Sequence, residues 1–218
     1  MVANGGLYTN VMEQLRFEPN IDESNITVSI KDNGVVVLGG KVKSYSEKYL
    51  AEKAVEKLEK VRGVANELTV DLASSYKRSD ADIAQAALNA LKWSMFIPHD
   101  KIKVAVDNGR VTLVGDVEYN YQKVRVEQAV RDLYGVTTVI NNIKIKPSIS
   151  PSEVKDKIIK EFERNARIDA NNIKVEVDGS KVTLKGSVQN FDEEREAKNA
   201  AWSVSGVSEV INELTISW

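Results

Sequence analysis

The chain has 218 residues, 42% of them hydrophobic and 28% charged, an ordinary balance for a folded globular protein. Its formal net charge of −2 argues against bulk nucleic-acid affinity, which needs a strong basic surplus. With no cysteine there are no disulfides, no thiolate chemistry and few routes to structural zinc, and one histidine cannot supply a transition-metal pair.

In chain order, the first helical pattern is Leu7, Val11, Met12 and Leu15, after the pair Gly5-Gly6. Ile26, Val28 and Ile30 then alternate with polar residues, the period-two signature of a strand with one buried face. Asp32-Asn33-Gly34 supplies a tight turn, and Val36-Val37-Leu38-Gly39-Gly40-Lys41-Val42 returns as the second strand of a hairpin. Ser44 and Glu47 have capping-box spacing at the start of a second helix whose inner face is Ala51, Ala54, Val55 and Leu58. Asn66 to Val70 reads as a last strand.

The same series returns twice. The second copy has Ile83, Ala87, Leu88 and Leu91 at helical spacing, with Asp80 or Asp82 placed to cap the helix. It continues with Ile102, Val104 and Val106, the turn Asp107-Asn108-Gly109, the strand Val111 to Val117, the helical face Val126, Ala129, Val130 and Leu133, and Asn142 to Ile145. In the third, Pro151 suits a first helical turn, and Val154, Ile158 and Phe162 form the apolar stripe. Ile173, Val175 and Val177, the turn Asp178-Gly179-Ser180 and the strand Val182 to Val188 follow. Asn190 and Glu193 repeat the capping-box spacing before Ala197, Ala200, Ala201 and Val204, and Glu213 to Ile216 closes the unit. Gly40, Gly115 and Gly186 lie inside strand patterns, which marks bulges or close backbone approach.

A repeat of this period sets the fold class. It predicts an α+β protein of three tandem α-β-β-α-β domains, over 7–72, 80–147 and 150–217, each with two helices on one face of a small three-stranded mixed sheet. Units this small sit near the lower limit for an independent core, so neighbouring units are expected to pack together. The linkers are Asp71 to Ser79 and Pro147-Ser148-Ile149-Ser150-Pro151.

The pattern V-x-V-x-x-G-x-V-T-L-x-G-x-V, an Ala-rich helix, then G-V-x-x-V-x-N-x-(I/L)-x-(I/V), resembles the BON (bacterial OsmY and nodulation) domain. Gly135 to Ile143 and Gly206 to Leu214 carry the closing signature, while the first copy has Lys60 in place of glycine. Leu91-Lys92-Trp93, Val130 to Leu133 and Ala200 to Ser203 are similar to triple-BON proteins that lack a signal peptide. The resemblance implies association with phospholipid surfaces or a role in osmotic and envelope stress. One member type is linked to potassium binding.

Two groups of residues stand out beyond the core. Trp93, Met95 and Phe96 crowd the end of the second copy's first helix, flanked by Lys92, Lys101 and Lys103. An aromatic knob ringed by lysines suits an interfacial anchor, a partner contact, or a contact packed against a neighbouring domain. Lys157, Lys160, Arg164 and Arg167 recur at i, i+3, i+7 and i+10 on the third copy's first helix. That stripe suits lipid phosphates, or a solvated face paired with the interleaved Asp156, Glu161 and Glu163. Tyr119, Tyr121 and Tyr134 read as surface or interface aromatics.

These residues form no catalytic constellation, and no cofactor or metal site is expected. The function expected is a non-enzymatic binding protein, related to osmotic stress, whose partner is an anionic phospholipid surface or a membrane-bound protein. The alternatives are a soluble self-associating scaffold, with a homo-oligomer contact, or a potassium-ion sensor. No run of about 18 apolar residues occurs. If the chain is the whole gene product, it is expected in the cytoplasm, at most peripheral to a membrane. A periplasmic setting requires that a signal peptide has been removed.

Overall fold

A computed structural model describes residues 2–31, 34–146 and 149–217. The turn residues Asp32 and Asn33 and the linker residues Pro147 and Ser148 lie outside the described residues. The first repeat runs α1 (Val2–Phe17), β1 (Ile26–Lys31), β2 (Val35–Val42), α2 (Tyr45–Glu56), β3 (Gly63–Asn66) and β4 (Thr69–Val70). The second runs α3 (Asp80–Trp93), β5 (Ile102–Asp107), β6 (Arg110–Val117), α4 (Asn120–Arg131) and β7 (Thr138–Ile145). The third runs α5 (Pro151–Arg164), β8 (Ile173–Asp178), β9 (Lys181–Val188), α6 (Phe191–Trp202) and β10 (Glu209–Ile216). The α+β fold therefore comprises three mixed sheets, ordered β1-β2-β3 with β4 also on β2, β5-β6-β7 and β8-β9-β10. In compactness the chain forms two units. One is Met1–Ala90, Val104–Thr112 and Ala129–Ile140; the other is Leu91–Lys103, Leu113–Gln128 and Asn141–Trp218.

The hairpin alternation sets the register. Ile26 pairs with Gly40, Val28 with Leu38 and Ile30 with Val36 in an antiparallel ladder, while β3 and β4 run parallel to β2. The third sheet repeats this, with Ile173 opposite Gly186 and β10 parallel to β9. The first core joins Val11 and Leu15 of α1, Val36 and Leu38 of β2, and Ala51 and Ala54 of α2. In the third, Ile158 and Phe162 meet Val182, Leu184, Ala197 and Ala201. Alanine at those helical positions brings the helix close to the sheet.

Three local expectations are corrected. α1 begins at Val2 and so includes the glycine pair. The last strand of the first repeat is broken into β3 and β4 at Glu67-Leu68, where Leu68 turns inward to 2% exposure. The cap of α3 is Ser79, whose hydroxyl accepts from Asp82 N at 3.2 Å. Asp80 instead accepts from Asn108 N and Gly109 N, at 2.8 and 2.9 Å, and so holds the β5–β6 turn.

The fourth correction has a wider consequence. Ser44 and Asn190 do cap their helices, accepting from Glu47 N and Glu193 N. The two glutamates, however, do not reach back to those caps. Glu47 accepts from Lys43 N and from Asp22 N, both at 2.7 Å, and Glu193 accepts from Gln189 N and Asp169 N at 2.7 Å. Each buried carboxylate thus ties the loop before the first strand to the start of the second helix. The second repeat has Gln122 at this position, accepting from Glu118 N and Tyr119 N at 3.1 Å. The residue matching Asp22 and Asp169 is there Pro98, which has no N–H to give. A second oxygen acceptor is not needed where the donor is missing.

Lys60, which departs from the glycine of the other copies, has a φ of 73°, and Gly135 and Gly206 have 89° and 84°. The lysine side chain is held in the left-handed region at a cost of about 1–2 kcal/mol. Glycine removes that cost but adds about 0.5–1 kcal/mol of unfolded-state entropy. Lys60→Gly is therefore expected to stabilise the chain by about 0.5–1 kcal/mol, read as a raised urea midpoint. A lowered midpoint would contradict the strain.

Candidate functional site

The loop after α3 is built around two anchors. Leu91 is 1% exposed and Ile97 is 5% exposed, and Ser94 N donates to Leu91 O while Ile97 N donates to Ser94 O. The chain folds back tightly between those anchors. Trp93, Met95 and Phe96 project into solvent, at 88%, 90% and 54% exposure. These three side chains do not enter the core of their own unit. Large apolar groups exposed together on a short loop are the kind of surface that contact sites use.

Cations border the knob. Lys92, Lys101 and Lys103 are all exposed. Lys101 lies 3.6 Å from Glu118, whereas Lys92 and Lys103 make no ion pair among the described residues. The Arg125 guanidinium of α4 sits 5.1 Å from the centroid of the Phe96 ring, a cation–π contact missed from sequence. Arg125 also lines a shallow cleft of about 560 Å³ with Tyr121, Val124 and Trp202. Arg125 and Phe96 are far apart in sequence, so helical periodicity gave no signal for their meeting.

The basic stripe is less coherent. Lys157, Lys160 and Arg164 line a cleft of about 520 Å³ between α5 and α6, together with Glu161 and Glu196. Arg164 pairs with Glu161. Arg167 lies beyond the end of α5 and sits 3.8 Å from Glu196. Two of the four cations therefore form ion pairs with carboxylates, Lys157 lies close enough to Glu153 to help lower its pKa, and Lys160 has no ion pair among the described residues. No hydrogen bond, ion pair or ring contact among the described residues joins this stripe to the knob.

Asparagines of the closing motif also find a role. Asn66 donates to Lys48 O and Glu52 while accepting from Leu68 N, and Asn141 repeats this with Lys123 O, Glu127 and Ile143 N. Asn212 donates to Glu194 and accepts from Leu214 N. Each fixes the last strand to the second helix and is structural. On the sheet of the third repeat, Lys174 and Lys185 hold the Glu176 carboxyl down at about 2. In the loop before β1, the Lys43 ammonium and the Ser24 groups do the same to Asp22, also about 2.

The model of the BON domain matches the chain three times, over residues 5–71, 79–147 and 151–217. The chain belongs to the BON domain family. No curated protein sequence matches it. Among solved structures, the C-terminal domain of CdsD, a structural protein of the type III secretion system of Chlamydia trachomatis, is similar. It is 15% identical over 97% of this chain and 98% of that one, with a TM-score of 0.29. The PrgH periplasmic domain is 8% identical over 95% and 100%, with a TM-score of 0.24. Scores at that level do not establish a common arrangement. Among the described residues no helix is long and apolar enough to cross a membrane, and no cluster of acidic or histidine side chains could hold a metal ion.

Proposed function

We propose that this BON protein is a non-enzymatic binding module that docks on anionic phospholipid surfaces through the knob of its second repeat. The observation that carries the reading is the knob itself: Trp93, Met95 and Phe96 exposed together, bordered by Lys92, Lys101 and Lys103. In this reading the aromatic rings enter the headgroup layer and the lysines meet phosphate. Each fully buried large apolar side chain contributes roughly 1.5–3 kcal/mol, and each basic residue near an anionic surface roughly 1 kcal/mol. Lys157, Lys160, Arg164 and Arg167 add a secondary electrostatic contact. The osmotic or envelope-stress setting belongs to the same proposal and rests on family membership.

Co-sedimentation with vesicles tests it. Anionic vesicles are expected to bring the protein down at low salt, zwitterionic vesicles to leave it in solution, and high salt to release it. Trp93→Ala with Phe96→Ala is expected to weaken binding by about tenfold or more, since each removes an exposed anchor without touching the core. No sedimentation with anionic vesicles at low salt would sink the lipid reading.

A further inference from the structure

The second helices of the three repeats are used in one recurring way. In the first unit, the N-terminal turns of α2 meet the C-terminal end of α4 and the strand beyond it. Ser46 donates to Asp132 at 2.6 Å, the Arg131 guanidinium lies 4.2 Å from the Tyr49 ring centroid, and the Tyr45 hydroxyl is 3.5 Å from Val139 O. Arg131 is only 15% exposed as a result. In the second unit, the matching face of α4, Tyr121 and Val124, lines a common cleft with Trp202 and Ser203 at the C-terminal end of α6. Trp202 and Ser203 hold the places of Arg131 and Asp132 in the repeat. The junction is therefore head to tail: the start of one second helix against the end of the next.

Among the described residues, a head-to-tail series of three second helices leaves one of each surface uncovered. Among the described residues no second helix covers the start of α6. There Phe191, Asp192 and Arg195 take the places of Tyr45, Ser46 and Tyr49. Phe191 is 69% exposed, and the side chains of Asp192 and Arg195 are 74% and 60% exposed. Nor, among the described residues, does the start of another second helix cover the end of α2. There Glu56, Lys57 and Val64 take the places of Arg131, Asp132 and Val139. Lys57 is 66% exposed.

The unused surfaces are complementary. Ser46 on Asp132 becomes Asp192 on Lys57, and Tyr49 on Arg131 becomes Arg195 on Glu56; both are opposite charges. The Tyr45 hydroxyl bond to Val139 O has no counterpart, since Phe191 lacks a hydroxyl; its exposed ring would instead lie over the half-buried Val64. We infer that Phe191, Asp192 and Arg195 of one copy dock on Val64, Lys57 and Glu56 of a second copy, extending the internal junction from chain to chain. Within a copy, Asp192 now pairs with Arg195, Glu56 with Lys53, and Lys57 with Glu18. Exposed pairs of that kind are weak and exchange partners readily. Arg131 likewise keeps a contact with Asp132, at 3.4 Å, while engaging Tyr49. Because the contact is heterologous, it yields open chains or a ring rather than a two-fold dimer.

Sedimentation velocity from micromolar to millimolar protein, without lipid and at low salt, tests this. The mean mass is expected to rise above 24.2 kDa with concentration. Asp192→Lys with Arg195→Glu is expected to weaken association by about tenfold or more, because like charges then face each other. Adding Glu56→Arg and Lys57→Asp to that variant restores opposite charges and is expected to recover association to within about threefold. All four residues are exposed, and thermal unfolding checks that each variant is folded. A mass fixed at 24.2 kDa throughout, an association indifferent to the charge reversal, or a folded fourfold variant that fails to recover would each overturn the inference.

Discussion

Gly186→Ala is expected to destabilise the chain by about 3 kcal/mol or more. Gly186 has a φ of 122°, and a β-carbon placed there meets the Asn172 carbonyl oxygen at 2.0 Å. That neighbour is backbone at the start of the β8–β9 hairpin and has no rotamer to change. Two costs add: about 1–3 kcal/mol for the backbone conformation and about 1–3 kcal/mol for overpacking. Gly179→Ala separates them. Its φ is 58°, with nothing within 4 Å of the added atom, so only the conformational cost of about 1 kcal/mol applies. Urea denaturation of the two variants against the parent reads the difference. Equal losses would show that the close approach of β8 and β9 has no energetic weight. Gly40 has the same geometry against the Asn25 carbonyl, so the feature belongs to the repeat and not to one copy.

The second large effect is expected at Glu193, 4% exposed and holding two backbone N–H groups from opposite sides. Glu193→Ala removes the acceptor from both, and each unsatisfied donor costs about 1–3 kcal/mol. The expected loss is about 2–6 kcal/mol of unfolding free energy, read from urea denaturation at neutral pH. Glu193→Gln keeps one acceptor oxygen and turns an NH₂ toward the other donor, so an intermediate loss is expected. A Glu193→Ala variant as stable as its parent would mean that water replaces the carboxylate at no cost. It would also remove the reason for Gln122 and Pro98 occurring together in the second repeat.

The fold was legible because its signals are local and written three times. Period-two alternation at Ile26, Val28 and Ile30 and the i, i+4, i+8 stripe of Val154, Ile158 and Phe162 each specify an element without reference to any other. Glycine at 40, 115 and 186 announced a close approach, and the carbonyl of Asn25, Lys101 or Asn172 is what approaches. The partner of Glu47 was not legible. Its spacing from Ser44 is that of a capping box, and only the folded loop brings Asp22 N within 2.7 Å.

The candidate site was half legible. The apolar run around Trp93 stands out in the sequence, but composition does not say which way a side chain faces. The buried positions of Leu91 and Ile97 decide it, by turning the intervening loop outward. The helical stripe was misread at its end. α5 stops at Arg164, so Arg167 does not share its face. Arg125 over Phe96 and Arg131 over Tyr49 join residues distant in sequence, which periodicity cannot pair.

The central claim is that the knob of the second BON repeat enters a lipid surface, and the fluorescence of Trp93 tests it most directly. Trp202→Phe and Trp218→Phe leave Trp93 as the sole tryptophan. With anionic vesicles, its emission is expected to shift to the blue and to be quenched by brominated acyl chains, both effects reversing at high salt. Emission that stays solvent-like while the protein co-sediments with the vesicles would contradict the claim, because binding would then run through another surface.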